Sequence, residues 1–177
     1  MALTHVSSKK YNFPFKRPKL APPTSDLEPG NAANQNNTMG LVYAKVELIN
    51  GDDLALFKRG YLKETEIRSM EVEFLVDTCA YMLVINETIC QKLGLVSNEK
   101  RPAQLANGEI VYCDVVGPIE VRFANRRSIL EAMVLPGDSE PLFGAIPMED
   151  MDLVVEPRAQ RLTVNPEHPL EPQMSLK

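Results

Sequence analysis

From Leu41 onward the chain alternates with period two. Val42, Ala44, Val46 and Leu48 interleave with Tyr43, Lys45 and Glu47, which predicts a half-buried strand. Asn50-Gly51-Asp52-Asp53 then reads as a turn, and Leu54 to Leu62 as a returning strand. Met70, Val72, Phe74 and Val76 form the next inward face and run directly into Asp77. A strand over Met82 to Ile85 follows. Asn86 is suited to cap a short helix in which Glu87 occupies the first turn, Ile89, Cys90 and Leu93 share a face, and Gly94 supplies a left-handed stop.

The second half repeats the strand pattern. Ala103–Ala106 and Glu109–Val116 flank Asn107-Gly108, the strongest short hairpin signal. Ile119, Val121 and Phe123 alternate with Glu120 and Arg122, and Ile129 to Leu135 is a further strand stopped by Pro136-Gly137. Pro147 suits the first turn of a brief helix through Met151, after which Leu153 to Val155 and Arg161 to Val164 are expected to close the sheet. Many short strands with one or two small helices predict a mainly β, mainly antiparallel barrel or sandwich.

Residues 1–38 stand apart. Pro14, Pro18, Pro22 and Pro23 break regular structure, and the polar run Asn31 to Thr38 offers nothing to bury, so a disordered leader or an N-terminal extension is expected. Lys16-Arg17-Pro18-Lys19 is a short basic run of a kind that polar tails often carry by chance. Residues 39–170 are read as a single domain and 171–177 as a flexible tail. The leader holds five Lys or Arg against two acids, so the excess acid behind the net charge of −5 lies in the body. An acidic body without a basic stripe argues against nucleic acid as a partner. There is no apolar run of membrane-spanning length and no secretory h-region, so membrane association is not expected. Cys79, Cys90 and Cys113 lack metal-ligand spacing, and His5 and His168 are the only histidines, so no metal or other cofactor is expected. A cytoplasmic protein with reduced thiols fits this composition.

Candidate chemistry concentrates at Asp77. A carboxylate at the end of a buried strand is costly to ionise. By its local sequence alone it reads either as an ordinary strand-end turn residue or as half of a carboxylate pair. Asp138-Ser139 is the only other Asp followed by Ser or Thr, but it sits between Pro136-Gly137 and Glu140 and reads as a surface turn. A pair would therefore need a second copy of the chain. Cys90, Cys113, Met148 and Met151 read as core, His168 as a solvated tail residue, and Glu149, Asp150 and Asp152 as a solvated face.

The order of parts sharpens the choice. A strand ending in Asp77-Thr78-Cys79-Ala80, a helix closing on Leu93-Gly94-Leu95, a hairpin with Ala106-Asn107-Gly108 at its tip and a late Leu142-Phe143-Gly144 together resemble the retropepsin-like aspartic proteases. Residues 39–177 are similar in particular to the small clan AA proteases of cyanobacteria and other bacteria. Gly117-Pro118-Ile119-Glu120-Val121, Gly144-Ala145-Ile146-Pro147-Met148-Glu149 and Asn165-Pro166-Glu167-His168-Pro169 add to that likeness. The resemblance implies a closed retropepsin-like barrel of acid-protease fold, working as a homodimer on a peptide or protein substrate. It implies Asp77 as the catalytic carboxylate and Thr78 as the residue locking the two active-site loops across the dimer. Cys79 and Ala80 would line the substrate site, Ala106, Asn107 and Gly108 would form a flap over it, and Leu142, Phe143 and Gly144 would brace the catalytic loop.

One departure bears on activity. The family pattern has Gly where this chain has Cys79, which adds a side chain beside the carboxylate and would be strained if the backbone there required φ > 0. The rival expectation is thus a catalytically silent dimer of the same fold that binds peptide or a partner protein. A third is a monomeric β interaction module.

Overall fold

The computed structural model describes residues 40–104, 108 and 110–173, all within one compact unit spanning 37–177. The expected leader and residues 174–177 of the expected tail lie outside the described residues.

Seven strands share one sheet: β1 (Tyr43–Asn50), β2 (Ser69–Val76), β3 (Leu83–Asn86), β4 (Ser97–Gln104), β5 (Ile110–Phe123), β6 (Arg126–Leu135) and β7 (Leu142–Phe143). Their order is β1-β2-β7-β3-β6-β5-β4, and β1 also pairs with β5, so six strands form a ring of pairings and β4 hangs on β5 alone. The alternation read from Leu41 is the reason β1 holds its place. Ala44, Val46 and Leu48 point inward, and Val46 faces Val72 while Leu48 faces Val121 across the two ladders. Phe74, Phe143, Ile85 and Ile119 complete an interior with no solvent access. Phe74 and Phe143 meet edge to face, ring centres 5.8 Å apart, directly beneath the strand ends that carry Asp77 and Gly144.

Three expectations are corrected. Leu54 to Leu62 does not return as a strand; Gly51–Lys58 is a helix, α1. The Asn50 side chain, read as part of a turn, accepts from the N–H groups of Asp52 and Asp53 and caps it, while both acids stabilise its positive end. With α2 (Glu87–Leu93) and α3 (Ala145–Asp150) the described residues hold three short helices rather than one or two. Finally, Leu153–Glu156 (β8) and Arg161–Val164 (β9) pair with each other as a separate two-stranded sheet and do not close the main one.

The helix α2 follows its local signals. Asn86 accepts from Ile89 N–H at 2.9 Å, and Gly94 ends it in a left-handed turn at φ 59°. Three other residues, His168, Asp150 and Asp152, depart from a solvated role. His168 Nδ1 lies 2.8 Å from Asp152 Oδ2, which also accepts from Gln173 N–H, and Asp150 accepts from Ser128.

A clasp ties α1 to the start of β2. Asp53, 5% exposed, receives Arg68 Nε and Nη2 at 2.7 Å each and Arg68 N–H at 3.0 Å. The Arg68 side-chain bonds hold its carboxyl below the usual carboxylate range, against the upward push of burial. Because the folded value lies under the unfolded one, the clasp stabilises the fold above pH ~4 and is lost as pH falls through the folded value. Arg68 is 46% exposed, so solvent screens part of its effect. Arg68→Ala is expected to cost about 1–3 kcal/mol at pH 7, leaving a buried carboxylate short of donors. Urea unfolding of both proteins at pH 7 and at pH 3 checks this, since the gap between them should narrow in acid.

Candidate active site

The loop after β2 is held from two sides. Val76 N–H donates to Val42 O at 2.8 Å, and Asp77 N–H to Phe143 O at 3.1 Å. Strand β7 lies between β2, which it meets in parallel at Leu75–Leu142 and Val76–Phe143, and β3, which it meets antiparallel at Leu83–Phe143. The two-residue strand thus fixes both the chain entering the Asp77 loop and the chain leaving it.

Within the loop the Asp77 carboxylate is half-buried and accepts from Cys79 N–H at 2.9 Å, while Ala80 N–H closes a turn onto Asp77 O at 3.1 Å. Asp77 sits at the strand end because the apolar face of β2 stops there, and the Asx bond to Cys79 turns the chain at once. Thr78 and Cys79 are exposed. Among the described non-glycine residues only Ala124, Asp152 and Gln160 adopt positive φ, so Cys79 occupies the family's Gly position without left-handed strain. Its N–H, the group that faces the carboxylate, remains in use.

The far side of the loop rests on the chain that follows β7. Ala145 N–H donates to Ala80 O at 2.8 Å and Ile146 N–H to Tyr81 O at 3.1 Å. Gly144 makes this approach possible. A Cβ there would lie 2.6 Å from Ala80 O and closer still to Met82 O, both of them backbone atoms. Its φ of −82° is open to any residue, so space and not conformation demands glycine.

The structure therefore brings Asp77, Thr78, Cys79 and Ala80 together with Leu142, Phe143 and Gly144. Of the expected flap, Ala106 and Asn107 lie outside the described residues. Gly108 is described, exposed, and at φ 85°, the left-handed value that tight hairpin turns ask of glycine. Sequence reading missed Val42, Ala145 and Ile146, whose backbone groups fix the loop. Only Gly144, directly before the latter two, hinted at so close a contact. Among the described residues no group of three or more His, Cys, Asp or Glu is placed to hold a metal ion, and no helix is long and apolar enough to cross a membrane.

The domain is mainly β, with one Asp-Thr turn seated between two clamped strand ends. Residues 64–151 match the sequence profile of the family described as aspartyl protease. The chain belongs to that family, which is part of clan AA. No curated protein matches the chain.

Proposed function

We propose that the chain is an aspartic endopeptidase of closed-barrel acid-protease fold that works as a homodimer, with one Asp77 from each copy. The observation that carries this reading is the clamped loop, in which Asp77 accepts from Cys79 N–H while β7 and residues 144–146 hold both sides of the turn. A half-buried carboxylate on so fixed a loop suits chemistry that needs two such groups to meet at a set distance. One carboxylate takes a proton from water as that water attacks the peptide carbonyl, while the protonated partner gives its proton to the carbonyl oxygen. Breaking the C–N bond then returns a proton to the amine. The Thr78 hydroxyl, exposed on the same loop, would join the two loops across the dimer. The hairpin tip at Ala106, Asn107 and Gly108 would cover an extended peptide and exclude water.

The silent-dimer reading rests on the exposed Cys79 side chain beside the carboxylate. Since no φ strain accompanies it, only its bulk weighs against turnover. Cys79→Gly is expected to raise cleavage while lowering stability by about 0.5–1 kcal/mol through the added freedom of glycine in the unfolded chain. Unchanged cleavage by an active protein would show that Cys79 is no obstacle, and a folded, dimeric variant without cleavage would tell against the protease reading.

Digestion of a diverse peptide library from mildly acidic to neutral pH, read by mass spectrometry beside an Asp77→Asn control, tests the proposal. Cuts confined to the wild type support it. A folded, dimeric protein with no Asp77-dependent cuts favours the binding role, and a protein that stays monomeric at high concentration defeats both.

A further inference from the structure

A groove of about 430 Å³ opens between α2 and the root of the β4–β5 hairpin. Its apolar walls come from Cys90 and Leu95, from Val111, Cys113 and Val116 of β5, and from Val134 of β6. Two carboxylates stand on it, Glu87 from the first turn of α2 and Asp114 from β5. Their charges act inward. Burial pushes both thiols up, and the charge of Asp114 adds to this at Cys113, as those of Asp114 and Glu87 do at Cys90. Ser97 Oγ fixes Asp114 with a 2.6 Å hydrogen bond, and its ion-pair partner Lys100 lies 3.7 Å away and is largely exposed, so it neutralises little. Tyr112, also on the groove, keeps most of its ring in water at 72% exposure.

We propose that the groove docks a basic side chain carried in an apolar context, an Arg or Lys flanked by Leu- or Val-type residues on a peptide or protein partner. The aliphatic stem lies along Cys90, Leu95 and Val134, and the cation reaches Glu87 and Asp114. Long basic side chains combine an apolar stem with a charged head in this way. A neutral ligand would take both carboxylates out of water while bringing no charge to meet them, and an anion would be repelled. The groove shares no residue with loop 77–82 or with residues 142–146, so this inference stands apart from whether the chain cleaves peptides.

The test is titration of the ¹⁵N-labelled Asp77→Asn protein, which removes the proposed catalytic carboxylate, with N-acetyl-Leu-Arg-Leu amide and with its citrulline counterpart, of like size but uncharged. The arginine peptide is expected to shift amides of residues 87–97 and 111–116 and to bind about fivefold tighter than the citrulline peptide, the upper range of one solvent-screened ion pair. Asp114→Asn and Glu87→Gln should each erode that preference while leaving the citrulline peptide unchanged. Equal affinity for the two peptides would overturn the proposal, as would shifts confined to residues 77–82 and 142–146. So would methylguanidinium alone shifting the same amides at the same concentration, which would make the groove a site for small cations.

Discussion

Asp77→Asn is expected to leave a folded dimer that has lost peptide cleavage by a factor of about 10²–10⁴, the range that positioned proton transfer contributes. The amide matches the carboxylate in shape and keeps an oxygen to accept from Cys79 N–H, so the loop has no reason to move. What disappears is the proposed proton acceptor for water. A dimer with one Asp77 per copy makes a second, sharper demand. When equal amounts of wild-type and Asp77→Asn subunits are mixed and allowed to exchange, a site needing both carboxylates survives only in wild-type pairs. Activity per wild-type subunit should then fall to about one half. Activity that stays proportional to wild-type subunits would mean that each copy works alone, and a variant that cuts as well as the wild type would remove Asp77 from the chemistry.

Gly144→Ala should damage the same site without touching a carboxylate. The added methyl has no side chain to push aside, because what it meets is the backbone carbonyls of Ala80 and Met82. Either β7 withdraws or residues 80–82 shift, and both break the bonds from Ala145 N–H to Ala80 O and from Ile146 N–H to Tyr81 O. Forced overpacking of this kind costs about 1–3 kcal/mol, and a displacement of roughly 1 Å at a reacting group costs about 100-fold in rate. Urea unfolding together with kcat/KM on a cleaved library peptide measures both. Stability and turnover near those of the wild type would show that the loop does not rest on this contact.

How far the sequence was legible depends on the range over which each element is decided. Helix α2 was readable because Asn86 and Gly94 act on their own neighbours. The turn at Asn50 misled because the same Asn-Gly-Asp-Asp chemistry serves a hairpin or a helix cap, and its choice depends on partners far along the chain: the Asn50 amide donates to Leu93 O at 2.9 Å, and Asp53 holds Arg68. Strand β4 was seen only from Ala103, since Ser97–Arg101 lies exposed and polar on both faces and shows no period. Strand β5 was read as two pieces because Gly117-Pro118 looks like a break. The strand instead runs on through it, with a shift of register between Val116 and Ile119. Strands β8 and β9 were visible as strands, but nothing in alternation names a partner. At the site, Asp77 announced itself by ending an apolar strand, whereas its supports at Val42, Ala145 and Ile146 act through backbone groups that carry no side-chain signature.

The place of β4 at the end of the strand order has its own outcome. Each of the other six strands in that sheet has at least two neighbours, while β4 has β5 alone. Letting it go breaks a single ladder and leaves the ring of pairings whole. Amide protons of Ser97–Gln104 should therefore exchange with deuterium through an opening much cheaper than global unfolding, while those shared by β1 and β2 wait for the whole domain to come apart. Strand β4 can thus part from β5 while the ring of pairings stays closed, an opening that does not cost the protein its fold.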